Sequence, residues 1–63
     1  MNIKESVEQG KLMRYCATSI HGYVDIFDRI EDIYMGYHFA YYDKIEAEEY
    51  SYKLEEKYQD NLK

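Results

Sequence analysis

Apolar residues recur along this chain at steps of three and four. Ile3, Val7, Gly10, Met13, Ala17 and Ile20 form a first stripe, and the spacing predicts a helix over 3–20. Asn2 stands where an N-cap is needed, with Glu5 three residues on in the capping-box position. Gly10 inside that pattern costs about 1 kcal/mol against Ala, and it suits close approach of a neighbouring helix. A second stripe covers 23–35. Tyr23, Ile26, Phe27, Ile30, Ile33 and Tyr34 lie on one side, with His21, Asp25, Asp28 and Asp32 opposite. A third helix is expected over 38–61, with Ala40, Ala47, Leu54 and Tyr58 on one face.

His21-Gly22 and Gly36 are the candidate breaks, because glycine readily takes the left-handed conformation found just past a helix. The first stripe also runs on through Val24 and Phe27, so one unbroken helix over 3–34 is an alternative. The aromatic stretch 34–42 suits a short strand, but a single strand has nothing to pair with, and helix or turn ranks above it. The fold expected is therefore all-α: a small helical hairpin or three-helix unit, one domain over 1–63. The turn would fall near Gly22 or Gly36.

Size changes that picture. A 63-residue chain holds one small core, which rarely supplies more than ~3–5 kcal/mol. The single cysteine, Cys16, has no partner for an internal disulfide. Extra burial is therefore expected from homodimerisation or from a partner protein. A lone cysteine also fits a reducing cytoplasm. Lys4, Glu5, Glu8, Lys11 and Arg14 punctuate the start of the chain, so no secretory leader is expected. The longest uncharged windows, 15–24 and 33–42, are about half the ~20 residues of a membrane helix, so no membrane association is expected.

Charge narrows the function. There are 13 acids against 8 bases, for a net charge of -5. Lys4, Lys11 and Arg14 are the only basic cluster, so direct nucleic-acid binding is not expected. On a helix, His21, Asp25, Asp28 and Asp32 would project together toward a divalent ion. The Glu-x-x-His that a bundle site takes from other helices is absent, and no metal or other cofactor is expected. Ser6, Ser19 and Ser51 have no base nearby in the pattern, and no phosphate loop or zinc-type cluster is present. Cys16 reads as inert packing, so an enzyme is not expected.

What remains is binding. Nine tyrosines exceed what a small core absorbs, and tyrosine is favoured at interfaces for its apolar body and polar tip. Tyr34, Tyr37, Tyr41 and Tyr42 are the candidate anchors. Asp25, Asp28, Asp32, Glu46, Glu48 and Glu49 are the candidate acids, set roughly 5–6 Å apart on a helix. That spacing suits the basic groove of a nucleic-acid-handling protein. The expected function is a stoichiometric inhibitor or adaptor of a larger host protein. In size and composition it is built like phage- and mobile-element-encoded inhibitors. The alternative is a self-assembling helical subunit with a tyrosine-rich oligomer interface.

Overall fold

The computed structural model describes residues 2–62. It overturns the all-α expectation. The chain is α+β: a short helix, an antiparallel sheet and one long helix. Neither a helical hairpin nor a three-helix unit is present among the described residues.

Helix α1 spans Ile3–Glu8 and stops far short of residue 20. Asn2 caps it as the spacing predicts, its Oδ1 accepting from Glu5 N at 2.8 Å. Gly10 ends it, with φ +78°. The N–H of Gly10 donates to Val7 O at 3.0 Å and that of Lys11 to Ser6 O at 2.9 Å. These paired bonds make a Schellman stop, which needs a left-handed residue just past the helix. Gly10 is a terminator, not a site of helix contact.

Strands β1 (Tyr15–Ile20) and β2 (Tyr23–Asp28) form a hairpin, paired in register from Ile20↔Tyr23 to Tyr15↔Asp28. The link is His21-Gly22, with φ +42° and +89°. Positive φ at both central residues marks a type I′ turn, whose twist matches that of the strands. Histidine is among the residues that tolerate this region. The reading of helix over 15–28 failed because short apolar runs fit periods of 2 and 3.6 alike. Aromatic and β-branched residues (Tyr15, Thr18, Ile20, Tyr23, Val24, Ile26, Phe27) then favour the strand.

The third strand is split. β3 (Ile33–Tyr34) pairs with the end of β2, and β4 (Phe39–Ala40) with its start. Residues 35–38 bulge away between them, with positive φ at Gly36 and His38. Gly36 thus lies in a bulge, not in the turn of a helical hairpin. A 3₁₀ turn, Tyr41–Asp43, leads into helix α2 (Lys44–Asn61).

Helix α2 packs on β1 and β2. Opposed residues in an antiparallel ladder share a face, so Tyr15, Ala17, Ser19, Val24, Ile26, Asp28 and Phe39 look one way. That face meets α2, because Phe39 lies 6.0 Å from the Tyr50 ring. Ala47 and Ser51 of the helix are buried, as are Val24 and Ile26 of the sheet. Val7 completes the buried apolar set. Fully burying a Val or Ile contributes ~1.5–3 kcal/mol, so this is a small core. The opposite face carries Cys16, Thr18, Ile20, Tyr23, Asp25, Phe27 and Tyr34. No described helix is long and apolar enough to cross a membrane.

Candidate functional site

The change of fold redistributes the candidate residues. Asp25, Asp28 and Asp32 do not share a face. Asp25 and Asp28 differ by an odd number of positions, so they leave β2 on opposite sides of the sheet. Both are buried, at 1% and 3% exposure. Asp32 lies in the turn after β2, exposed, with φ +60° and its N–H donating to Asp28 O at 2.8 Å. The convergence of these acids with His21 on one ion, considered above, has no geometric basis here. Among the described residues, no three His, Cys, Asp or Glu side chains cluster as metal ligands.

Asp25 serves the backbone. Its carboxylate accepts from Ile26 N at 2.7 Å, Gly36 N at 2.9 Å and Tyr37 N at 2.9 Å. A bulge removes backbone donors from the ladder, and a buried donor must find another acceptor. Asp25 supplies it from the next strand.

Asp28 anchors the other end of β2. Arg14 donates to it through Nε at 3.0 Å and Nη2 at 2.9 Å, the forked geometry of a strong arginine–carboxylate pair. The N–H groups of Ile30 and Glu31 donate to Oδ1 at 3.0 and 3.1 Å, fixing the turn. Burial pushes this carboxyl up, but the Arg14 fork and the two backbone donors together hold it below the ordinary aspartate value. The same hydrogen bond to Asp28 raises Arg14. The guanidinium also lies 5.1 Å from the Tyr15 ring and 4.9 Å from that of Tyr58, within cation–π range. Burial, more than any other cause, raises the Tyr15 phenol.

The four candidate tyrosines are all exposed. Tyr34 is 50% exposed, Tyr37 40%, Tyr41 65% and Tyr42 88%. Ile33 and Ile45 beside them are 50% and 74% exposed. They do not form a helical stripe. Tyr34 stands on the sheet face away from α2, its ring 4.9 Å from Phe27. Tyr37 turns toward α2, 4.8 Å from Tyr50. A hydrogen bond with Tyr50, followed by burial, raises its phenol. Tyr41 and Tyr42 occupy the 3₁₀ turn, and Ile45 begins the helix beyond. Behind them, His38 stacks on Tyr23 at 4.3 Å and 11° between planes. Of the helix acids, Glu46 and Glu49 are exposed, and Glu48 is half-buried.

One feature escaped the sequence reading. A groove of about 410 Å³ lies beside β1, lined by Leu12, Met13, Tyr15, Ala17, Glu48 and Tyr52 among others. Glu55 of α2 reaches its end, accepting from Arg14 N at 2.7 Å and Tyr15 N at 3.3 Å. The available signal was the uncharged window 15–24, which holds the hairpin bordering this groove. Compared with protein families, with curated proteins and with solved structures, the chain finds no match.

Proposed function

We propose that this chain is a small protein-binding module, acting as a stoichiometric inhibitor or adaptor by covering part of a larger protein. The observation that carries the reading is the run of exposed large apolar side chains over 33–45. Clustered exposed apolar side chains are a usual mark of an interaction site, and Tyr41, Tyr42 and Ile45, neighbours at the start of α2, are the part of the run that can act together. Tyr42 and Tyr41, 88% and 65% exposed, are the most exposed tyrosines among the described residues and are the anchors. Tyrosine loses little side-chain entropy on docking, which suits it to that role.

Charge complementarity favours a basic target, with a narrower acidic contribution than the sequence suggested. Glu46 and Glu49 on α2, with Asp32, supply it. Asp25 and Asp28 are withdrawn into the fold. These exposed acids would speed encounter with a basic surface, including that of a nucleic-acid-handling protein.

The test is capture of a stoichiometric partner by the tagged chain, compared with Tyr41→Ala and Tyr42→Ala. Loss of an anchor typically costs at least ~2 kcal/mol, about thirtyfold in Kd. Both side chains are exposed, so the melting temperature should stay within error. Capture undiminished in both variants would remove the tyrosines from the account.

A further inference from the structure

We propose that two copies of this chain pair through their β1 strands, antiparallel about a two-fold axis at Thr18, making one continuous sheet.

The parity of the hairpin shows which backbone groups are free. A two-residue turn closes on a hydrogen-bonded pair, here Ile20↔Tyr23. Bonded and non-bonded pairs then alternate. Ile20, Thr18 and Cys16 therefore bond inward to β2, while Ser19, Ala17 and Tyr15 point their N–H and C=O outward. Two observations agree with this parity. Arg29 N donates to Arg14 O at 2.8 Å, continuing the inward series, and Tyr15 N is met from outside by Glu55. Glu55 thus closes the start of the edge, and Ala17 and Ser19 are left open.

The two edges of the sheet are treated differently. Beyond β2, the outer strand is cut into two dipeptides by the bulge at 35–38, a device that blocks pairing with another chain. Apart from Glu55 at its start, β1 has none of these protections. It is six residues long, carries no charge and no proline, and keeps an unbroken register with β2. An edge of that kind is a template for a further strand.

A second copy fits as the occupant. Centring the axis on Thr18 sets Ala17 against Ser19 of the second copy, and Ser19 against its Ala17. The two donors and two acceptors of Ala17 and Ser19 on each chain are then used. Tyr15 stays with Glu55, whereas centring on Ala17 would demand the Tyr15 N–H that Glu55 already holds. Thr18 faces its own counterpart, and Cys16 faces Ile20 of the second copy. The hairpin tip of each chain, residues 19–21, runs toward the other's groove between Leu12 and Tyr52, which are 40% and 57% exposed. The net charge of -5 opposes self-association elsewhere. Here the approaching strand brings no acid, and an isologous contact needs only self-complementarity.

Sedimentation equilibrium on the full chain tests this directly. The expected result is a species of twice the 7.7 kDa chain mass. Thr18→Lys and Thr18→Glu should each weaken the dimer at least tenfold by setting like charges opposite one another. Mixing the two should restore it as a heterodimer. In a Cys16→Ser background, Thr18→Cys should oxidise to a covalent dimer, since a non-bonded antiparallel pair brings Cα atoms to ~4.5 Å. Tyr42→Cys in the same background should not. A wild-type monomer at every concentration would overturn the proposal. So would a dimer indifferent to both charges, a mixture that fails to reassociate, or cross-linking no better at position 18 than at 42.

Discussion

Removing the Asp25 carboxylate should release the bulge that shapes the outer strand. Asp25 is 1% exposed and holds the N–H groups of Gly36 and Tyr37, each at 2.9 Å, besides its neighbour Ile26. The bond from Met35 N to Ile26 O, at 2.9 Å, is where direct backbone pairing stops before the bulge. Hydrogen bonds to a charged group contribute roughly 1.5–3 kcal/mol each. Gly36 and Tyr37 are exposed residues, so water recovers part of their loss and the lower figure applies to each. Asp25→Ala should then cost about 3 kcal/mol. A domain of this size rarely has more than ~3–5 kcal/mol in hand, so the variant should stand at the edge of unfolding. Asp25→Asn keeps the shape but offers one acceptor oxygen and turns an amide toward a donor. It should fall between, about 1–2 kcal/mol down. Urea unfolding followed by circular dichroism gives the magnitude, and amide exchange at Gly36 and Tyr37 gives the location. Wild-type stability in Asp25→Ala, with both amides still protected, would refute the assignment of the bulge to this carboxylate.

Acid should act through Asp28. Its folded carboxyl is held below the unfolded value, so the unfolded chain takes up the proton more readily. The stabilisation is complete above the unfolded pKa, about 3.9, and is lost as pH falls through the lower folded value. Melting temperature against pH should show this acid decline in the wild type and a flatter profile in Asp28→Asn; parallel profiles would exclude the Arg14 pair as the cause. Gly22→Ala should cost about 1–2 kcal/mol, because φ is +89° while a Cβ there would meet nothing within 4 Å. The penalty is one of backbone conformation, and a urea midpoint equal to that of the wild type would contradict the type I′ assignment.

The parts of the fold legible in the sequence were those with local causes. Asn2 and Glu5 announced a helix start. Of the face drawn through Ala40, Ala47, Leu54 and Tyr58, the last three lie on α2, where Ala47 is buried and the other two are half-buried, while Ala40 falls in β4, ahead of the helix that was expected from residue 38. Residues 15–28 were opaque because a hairpin is decided by non-local pairing, and six-residue apolar runs do not choose a period. The decisive mark was His21-Gly22 at the midpoint of two equal runs, where a turn serves a hairpin as well as it ends a helix. The error then propagated to the candidate site. Spacings of three and four gathered Asp25, Asp28 and Asp32 on a helix, whereas the strand period of two sends Asp25 and Asp28 apart. The tyrosine candidates rested on an excess over the core's capacity and not on a helix, and Tyr34, Tyr37, Tyr41 and Tyr42 are all exposed in the sheet fold, Tyr34 included although the helical spacing set it on the apolar side.

Two acids and several tyrosines stand where polarity alone would not put them: Asp25 and Asp28 are buried, whereas Tyr34, Tyr37, Tyr41 and Tyr42 are exposed. Asp25 holds a bulge, Asp28 a turn and Glu55 the start of an edge strand, each by accepting backbone N–H groups that the short ladders leave over. A sheet with two-residue strands has many such groups for its size, and an uncapped buried donor costs about 1–3 kcal/mol. In a core this small, each capped site counts about as much as one or two buried methylene groups. Aromatic area is left outside, where it raises the free energy of the isolated chain. On the proposed function, that cost is offset when Tyr41, Tyr42 and Ile45 meet another protein. The same economy links the two interaction surfaces. Strand β1 itself carries no acid and, as proposed, would face a like strand, while α2 keeps Glu46 and Glu49 close in sequence to the exposed tyrosines. The proposed self-pairing and the proposed partner capture therefore draw on different residues, and a Thr18 variant that loses the dimer should retain its Tyr42-dependent partner.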